Sequence, residues 1–297
     1  MGQNRFDFGG SWTDEKLERV RKYLAAYVIA LKHQSFELLY VDAFAGSAAA
    51  PVELEEVSGE ILFPELREED AQQFRKGSVR QALEVEPPFQ RYILIEKDPH
   101  KVQQLKRVKN DYPDRRERID IVNEDSNTYL GKLCDRMSRR GRVRGVVFLD
   151  PFGMQVDWTT IECLAETQKF DVWILFPLGI AVTRMLPKAG PVPEHWARTL
   201  DRTFGSDEWQ ALFYKENPQL TFDGEPNGVR RVATLNEIAA HYNERLRSAF
   251  AGVAPNPLPL TNSRRNPLYL LCFACGNPRG CRPALDIATY ILGQSGG

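Results

Sequence analysis

Short, almost wholly apolar runs that stop at an acid or a tight turn recur along this chain. Phe36 to Val41 stops at Asp42, Tyr92 to Ile95 at Glu96, Ile119 to Val122 at Asn123-Glu124-Asp125, and Val146 to Leu149 at Asp150. Asp171 to Phe176 ends at Pro177-Leu178-Gly179. Continuous apolar runs of this length, rich in β-branched and aromatic residues, predict strands buried on both faces. Between them the period changes. Leu17, Val20, Leu24, Tyr27, Val28 and Leu31 follow Thr13 at helical spacing, which predicts a helix capped by Thr13. Further helices are predicted from Gly77-Ser78 through Leu83, over Pro99 to Asn110, Thr128 to Arg140, Thr159 to Thr167, Glu194 to Thr203, Asp207 to Glu216, Leu235 to Phe250 and Ala284 to Leu292. Pro257 to Thr261 and Leu268 to Cys275 flank Asn262-Ser263-Arg264-Arg265-Asn266, a hairpin signal. Strands alternating with helices and finished by a hairpin imply an α/β, Rossmann-like fold. Its doubly wound, mostly parallel, seven-stranded sheet ends in a C-terminal antiparallel hairpin.

With 297 residues, 42% of them apolar, the chain suits one domain over 1–297 with two insertions. Residues 51–76, broken by Pro51, Gly59 and Pro64, read as an acidic flap or loop, and 185–233 as a helical lid or substrate region. The net charge of −1 hides blocks of one sign. Glu53 to Asp70 holds eight acids against Arg67, and Lys132 to Gly145 six basic residues against Asp135. Any nucleic-acid or substrate surface must therefore be local, with Arg139, Arg140 and Arg142 and the Arg264-Arg265 turn as its candidates.

Five cysteines without framework spacing, and no apolar leader at the start, point to a reducing cytoplasm. No run approaches membrane-spanning length. Cys272-Phe273-Ala274-Cys275 has no second pair to complete a zinc site, so it reads as a strand with two small hydrophobes and no metal is expected.

In a doubly wound sheet, acids at strand ends line the crevice that takes a ligand. Gly46 and Ser47, followed by three alanines, let the backbone after the first strand approach a ligand closely. Glu96 lies 54 positions after Asp42, and omitting the 26-residue block 51–76 leaves 28. That spacing is near the roughly 20 residues expected of an acid gripping ribose hydroxyls. No Gly-x-Gly-x-x-Gly follows the first strand, which weakens a nicotinamide-dinucleotide reading. Strand-terminal acids also cap helices, and Asp98 and Asp125 carry both readings equally.

Asp42-Ala43-Phe44-Ala45-Gly46-Ser47, Glu96-Lys97-Asp98, Asp125-Ser126-Asn127 and Asp150-Pro151-Phe152-Gly153 resemble, in this order, the successive motifs of class I S-adenosylmethionine-dependent methyltransferases. Ala48 stands where a second turn glycine is usual, Phe152 in place of a second proline, and Gly153 in place of an aromatic. In more detail the chain is similar to the bacterial three-Cys-motif partner proteins. That likeness rests on Asp150 to Gln155, Phe176 to Gly179, Gly77-Ser78 and Pro87 to Tyr92, and it runs from Trp12 to the last helix. The resemblance implies a class I methyltransferase fold, S-adenosylmethionine as cofactor and a three-Cys-motif protein as partner.

On that reading Asp42, Phe44, Ala45, Gly46, Ser47, Glu96, Lys97, Asp125, Ser126 and Asn127 hold the cofactor, with Asp125 or Asn127 at the adenine amino edge. Asp150, Pro151, Phe152 and Gly153 present an acceptor amine of a nucleic-acid base or a nucleotide-like substrate. Phe152 stacks on a base that is single-stranded or flipped out. The competing expectation is a weak or inactive partner subunit that keeps the fold.

Overall fold

The computed structural model describes residues 11–46, 77–216, 228–262 and 264–294. The expected flap at 51–76, Ser47, and the stretch 217–227 of the expected lid lie outside them.

Helix α1 (Ser11–Leu31) is followed by β1 (Glu37–Asp42), α2 (77–83), β2 (Arg91–Ile95), α3 (Pro99–Asn110) and β3 (Ile119–Val122). The chain continues through α4 (Ser126–Ser138), β4 (Val143–Leu149), α5 (Trp158–Glu166) and β5 (Phe170–Phe176). Then come α6 (Glu194–Phe204), α7 (Trp209–Phe213), β6 (Tyr214–Glu216), β7 (Val229–Arg231) and α8 (Leu235–Ala249). It ends with β8 (Gly252–Val253), β9 (Leu258–Thr261), β10 (Pro267–Cys275) and α9 (Cys281–Gly293). The main sheet runs β3-β2-β1-β4-β5-β10-β8, with β9 also on β10. Strands β1 to β5 are parallel and β10 is antiparallel to β5. Leu270 and Leu271 pair with β5 and β9, Ala274 and Cys275 with β5 and β8. Both short strands thus lie along one edge of β10, and eight strands fill seven positions. This is the doubly wound sheet with a C-terminal antiparallel hairpin that the pattern implies.

Every residue of β5 is buried, as expected for a parallel strand covered on both faces. Alternation assigns the covers. Trp173 and Phe273 pair across β5 and β10, and Tyr23 of α1 packs on both, with ring centroids 5.4 and 4.7 Å away. Phe176 faces the other way and stacks on Tyr242 of α8 at 3.8 Å. Helix α1 therefore covers the face that carries Phe148, the β4 partner of Trp173, and α8 the opposite one.

Several local expectations are corrected. The first helix begins at Ser11, upstream of Thr13. Asp207 to Glu216 is not one helix: α7 stops at Phe213, and Tyr214 to Glu216 pairs antiparallel with Val229 to Arg231. The described residues of the stretch expected as a helical lid, 185–216 and 228–233, are thus part helix and part β-ribbon. Cys134 and Cys163, which their spacing left unpaired, form a disulfide between α4 and α5 with Cα atoms 6.1 Å apart. Cys272 and Cys275 are buried on β10, as the strand reading has it. Among the described residues no helix is long and apolar enough to cross a membrane.

Candidate functional site

Strand order reverses between β1, whose sequence neighbours β2 and β3 lie to one side, and β4, whose neighbour β5 lies to the other. Ligands of open α/β sheets bind outside the carboxyl ends of the strands at such a point. The turn after β1 is held to both sides of the switch. Ala43 N–H donates to Phe148 O at 3.0 Å and Ala45 N–H to Ile95 O at 2.9 Å. The turn is thereby clamped between β4 and β2, with Ala45 buried and Phe44 half-buried beside it.

Gly46 ends this turn directly beneath Glu96. A Cβ placed on Gly46 falls 1.7 Å from Glu96 Oε2, so only glycine lets the carboxylate lie there. Glu96 is itself 9% exposed, and its Oε1 accepts the Asp98 N–H at 2.7 Å. One oxygen is tied to the backbone and the other overhangs the bare glycine. A backbone shelf faced by a carboxylate suits a ligand carrying vicinal hydroxyls.

Asp150, at the end of β4, accepts the ammonium of Lys16 from α1 at 2.9 Å, with the two side chains 5% and 0% exposed. Lys16 also lies over the Phe148 ring, 5.6 Å from its centroid. Nothing in the local sequence marks Lys16, because its partner is 134 residues away. After Asp150, buried Pro151 and half-buried Phe152 lead into Gly153, whose φ of +82° strains any other residue. Phe152 N–H donates to Gln155 Oε1 at 3.0 Å, closing the turn.

Asp42 is fully buried and accepts from Ser78 Oγ at 3.0 Å, Phe44 N–H at 3.2 Å and Tyr40 OH at 3.4 Å. Burial, and then the charge of Asp150, push its carboxyl up to about 7, while these donors pull the other way. Asp42 therefore anchors α2 and the β1 turn beneath the crevice, and presents no surface to a ligand.

The third motif divides. Asp125 caps α4 by accepting Thr128 N–H at 3.1 Å, and Asp98 caps α3 through His100 N–H at 2.8 Å. Ser126 donates to Ala43 O, fixing α4 against the β1 turn. Asn127 donates to Gln155 O at 2.8 Å and accepts from Asp157 N–H and Thr160 Oγ1, so it fastens α4 to the loop after Gly153. Lys97 is exposed, and its carbonyl accepts from Asn123.

Of the expected substrate cations, Arg139, Arg140 and Arg142 precede β4 and so lie at the amino edge of the sheet, opposite Asp150. Arg140 pairs with Glu37 at 2.8 Å and Arg142 with Ser35. The structure does not bring this cluster to the crevice. Arg264 and Arg265 are exposed in the β9–β10 turn, at the end of β10 that adjoins the carboxyl end of β5, the same edge as Asp150. Among the described residues no group of His, Cys, Asp and Glu is disposed to hold a metal.

The sequence matches no protein-family model and no curated protein. Solved structures with a similar course of chain include protein LPL1258 of Legionella pneumophila, of family-model DUF519. It has 13% identity and TM-score 0.47, and the match covers 96% of this chain and 92% of that one. Escherichia coli yhhF, a methyltransferase by provisional assignment, has 15% identity and TM-score 0.27 over 72% and 87% of the two chains. Spermidine synthase of Thermotoga maritima has 10% identity and TM-score 0.37 over 94% and 72%. The strand order and pairing give this chain a Rossmann-like, doubly wound fold, with Glu96 after β2 and Asp150 after β4 on either side of the β1 turn at its switch point.

Proposed function

We propose that the chain is an S-adenosylmethionine-dependent methyltransferase that modifies an amine of a nucleic-acid base or nucleotide-like substrate, working beside a three-Cys-motif protein. The observation that carries this reading is the Gly46–Glu96 cradle next to Asp150. The bare glycine lets the Glu96 carboxylate lie against the backbone of the first turn at the carboxyl edge of the sheet, and a carboxylate there is the acceptor that would hold the ribose hydroxyls of the cofactor. Bound there, the cofactor supplies an electrophilic methyl group on a sulfonium.

The chain's own residues then position the acceptor. Lys16 occupies Asp150 Oδ1 and, among the described residues, Oδ2 is the atom left to accept from an exocyclic amine and turn its lone pair toward the methyl group. Phe152, half-buried at the turn, offers a ring for an unstacked base. Little proton chemistry is required, and the rate gain comes from orientation. Arg264 and Arg265 are the basic pair on this edge for phosphates.

One observation favours the second reading, a fold-retaining partner subunit without turnover: Asp150 already has a buried counterion, an arrangement that also serves as a simple internal brace. Transfer of labelled methyl from S-adenosylmethionine to pools of RNA, DNA and small amines, with and without the cysteine-motif partner, separates the two. The enzyme reading expects turnover that falls by orders of magnitude in Asp150→Asn while cofactor affinity holds. A parent protein that binds the cofactor and methylates nothing in either condition gives the structural role precedence.

A further inference from the structure

A second cavity, of about 120 Å³, opens at the other edge of the sheet. Its walls are the C-terminal half of α1 (Tyr27, Leu31), the N-terminal half of α9 (Ile287) and the amino ends of β4 and β5. Arg144 and Asp150 are six residues apart on β4, which places this cavity about 20 Å from the crevice. Three features of positive character meet at its rim. The Arg144 guanidinium lies over the Phe36 ring at 4.9 Å and, among the described residues, donates only to the Val143 carbonyl at 3.0 Å. Lys169 Nζ donates to the carbonyls of Arg140 and Gly141. Among the described residues neither cation has a carboxylate partner. Gly280, also in the lining, opens α9 without a side-chain cap, so the helix turns an uncapped amino end toward the same space.

Ordinary surface cations point into water, whereas these two are half-buried beside an apolar wall. Lys169 is held below the usual lysine range, by burial first and by the Arg144 charge second. An anion relieves both effects. The one acid of the lining, Asp171, is buried behind them and accepts from Tyr23 OH at 2.6 Å. Burial pushes its carboxyl up to about 6, against the pull of Tyr23, Cys275 and Arg144, and among the described residues it forms no ion pair with either cation. The cavity approaches the roughly 150 Å³ of an engineered apolar cavity that takes benzene.

We propose that this cavity is a second small-molecule site, which takes an organic anion with a body of about one ring, its carboxylate on Arg144 and Lys169 and its apolar part against Tyr27, Leu31 and Ile287. A planar carboxylate matches the guanidinium fork two bonds at a time, and the ring fills space that water solvates poorly.

The test titrates the full chain with benzoate, benzamide and benzylamine, followed by calorimetry and by amide and aromatic NMR shifts. Benzoate is expected to bind, at least tenfold tighter than benzamide, with shifts at Tyr27, Leu31 and Ile287. Arg144→Gln with Lys169→Gln is expected to weaken it at least tenfold in a protein whose unfolding midpoint is unchanged. Ala30→Leu, which enlarges a lining residue and leaves both cations in place, is expected to weaken benzoate and benzamide alike. Glu96→Ala, at the other edge, is expected to leave benzoate affinity unchanged. No binding of benzoate at millimolar concentration, preference for benzylamine, or benzoate affinity indifferent to all the cavity variants would overturn the proposal.

Discussion

Lys16→Met tests whether the Lys16–Asp150 pair organises the crevice. At 2.9 Å the two charges attract by about 6 kcal/mol at an effective dielectric near 20. Taking two ions to 0% and 5% exposure costs several kcal/mol each, so the intact pair contributes little net stability. Removing one partner is different, because the other stays buried without compensation. Methionine keeps the length and apolar bulk of the lysine stem, so the expected loss is electrostatic, about 3–5 kcal/mol. Urea denaturation of parent, Lys16→Met, Asp150→Leu and the double variant measures it. Each single variant is expected to lose about 3–5 kcal/mol, and the double variant to recover most of the loss, because an apolar pair of similar volume is about as stable as a buried ion pair. A Lys16→Met variant that loses less than about 1 kcal/mol would refute the reasoning, since it means water already solvates Asp150.

Two further variants probe the same edge. Gly46→Ala sets a methyl 1.7 Å from Glu96 Oε2, and that flexible carboxylate must move. The midpoint of unfolding is expected to change little, by under about 1 kcal/mol, while cofactor affinity drops, as calorimetry and thermal melts on one sample would show. Asp42 gives a pH signature. Its folded carboxyl is pushed up to about 7 from an ordinary 3.8, so its contribution is fully present below pH 3.8 and is lost as pH rises through 7. Between those values the parent is expected to lose up to about 1.4 kcal/mol per pH unit relative to Asp42→Asn. Urea unfolding of both proteins from pH 4.5 to 8 checks it, and parallel curves would show that Asp42 titrates normally.

The sheet was legible because parallel strands buried on both faces write themselves as unbroken apolar runs, such as the seven buried residues of β5. Gly46 and Glu96 were legible jointly, since both follow strands that pair in parallel and so emerge at one edge. Lys16 was not: a lysine early in an amphipathic helix looks like any solvated one until the helix lies on β4. The Asp207 to Glu216 stretch misled because its last three residues find hydrogen bonds in a strand beyond residue 228, a non-local choice that helical periodicity does not encode. Asp125 and Asn127 fit a ligand-binding role by position alone. Their side chains are engaged in capping α4 and in fastening the loop that ends at Asp157, and local pattern does not distinguish these uses. Arg139, Arg140 and Arg142 are placed by their position in the chain. Residues just before a parallel strand lie at its amino end, on the far side of the sheet from a crevice at the carboxyl ends.

The most direct test of the account is titration of S-adenosylmethionine into the parent chain and Glu96→Ala by calorimetry, with nicotinamide dinucleotide as the competing ligand. The account predicts that S-adenosylmethionine binds the parent and that Glu96→Ala, still folded, binds it about 1.5–3 kcal/mol more weakly, roughly 10- to 150-fold. Binding of the dinucleotide but not S-adenosylmethionine, or an affinity for S-adenosylmethionine indifferent to Glu96, would contradict it.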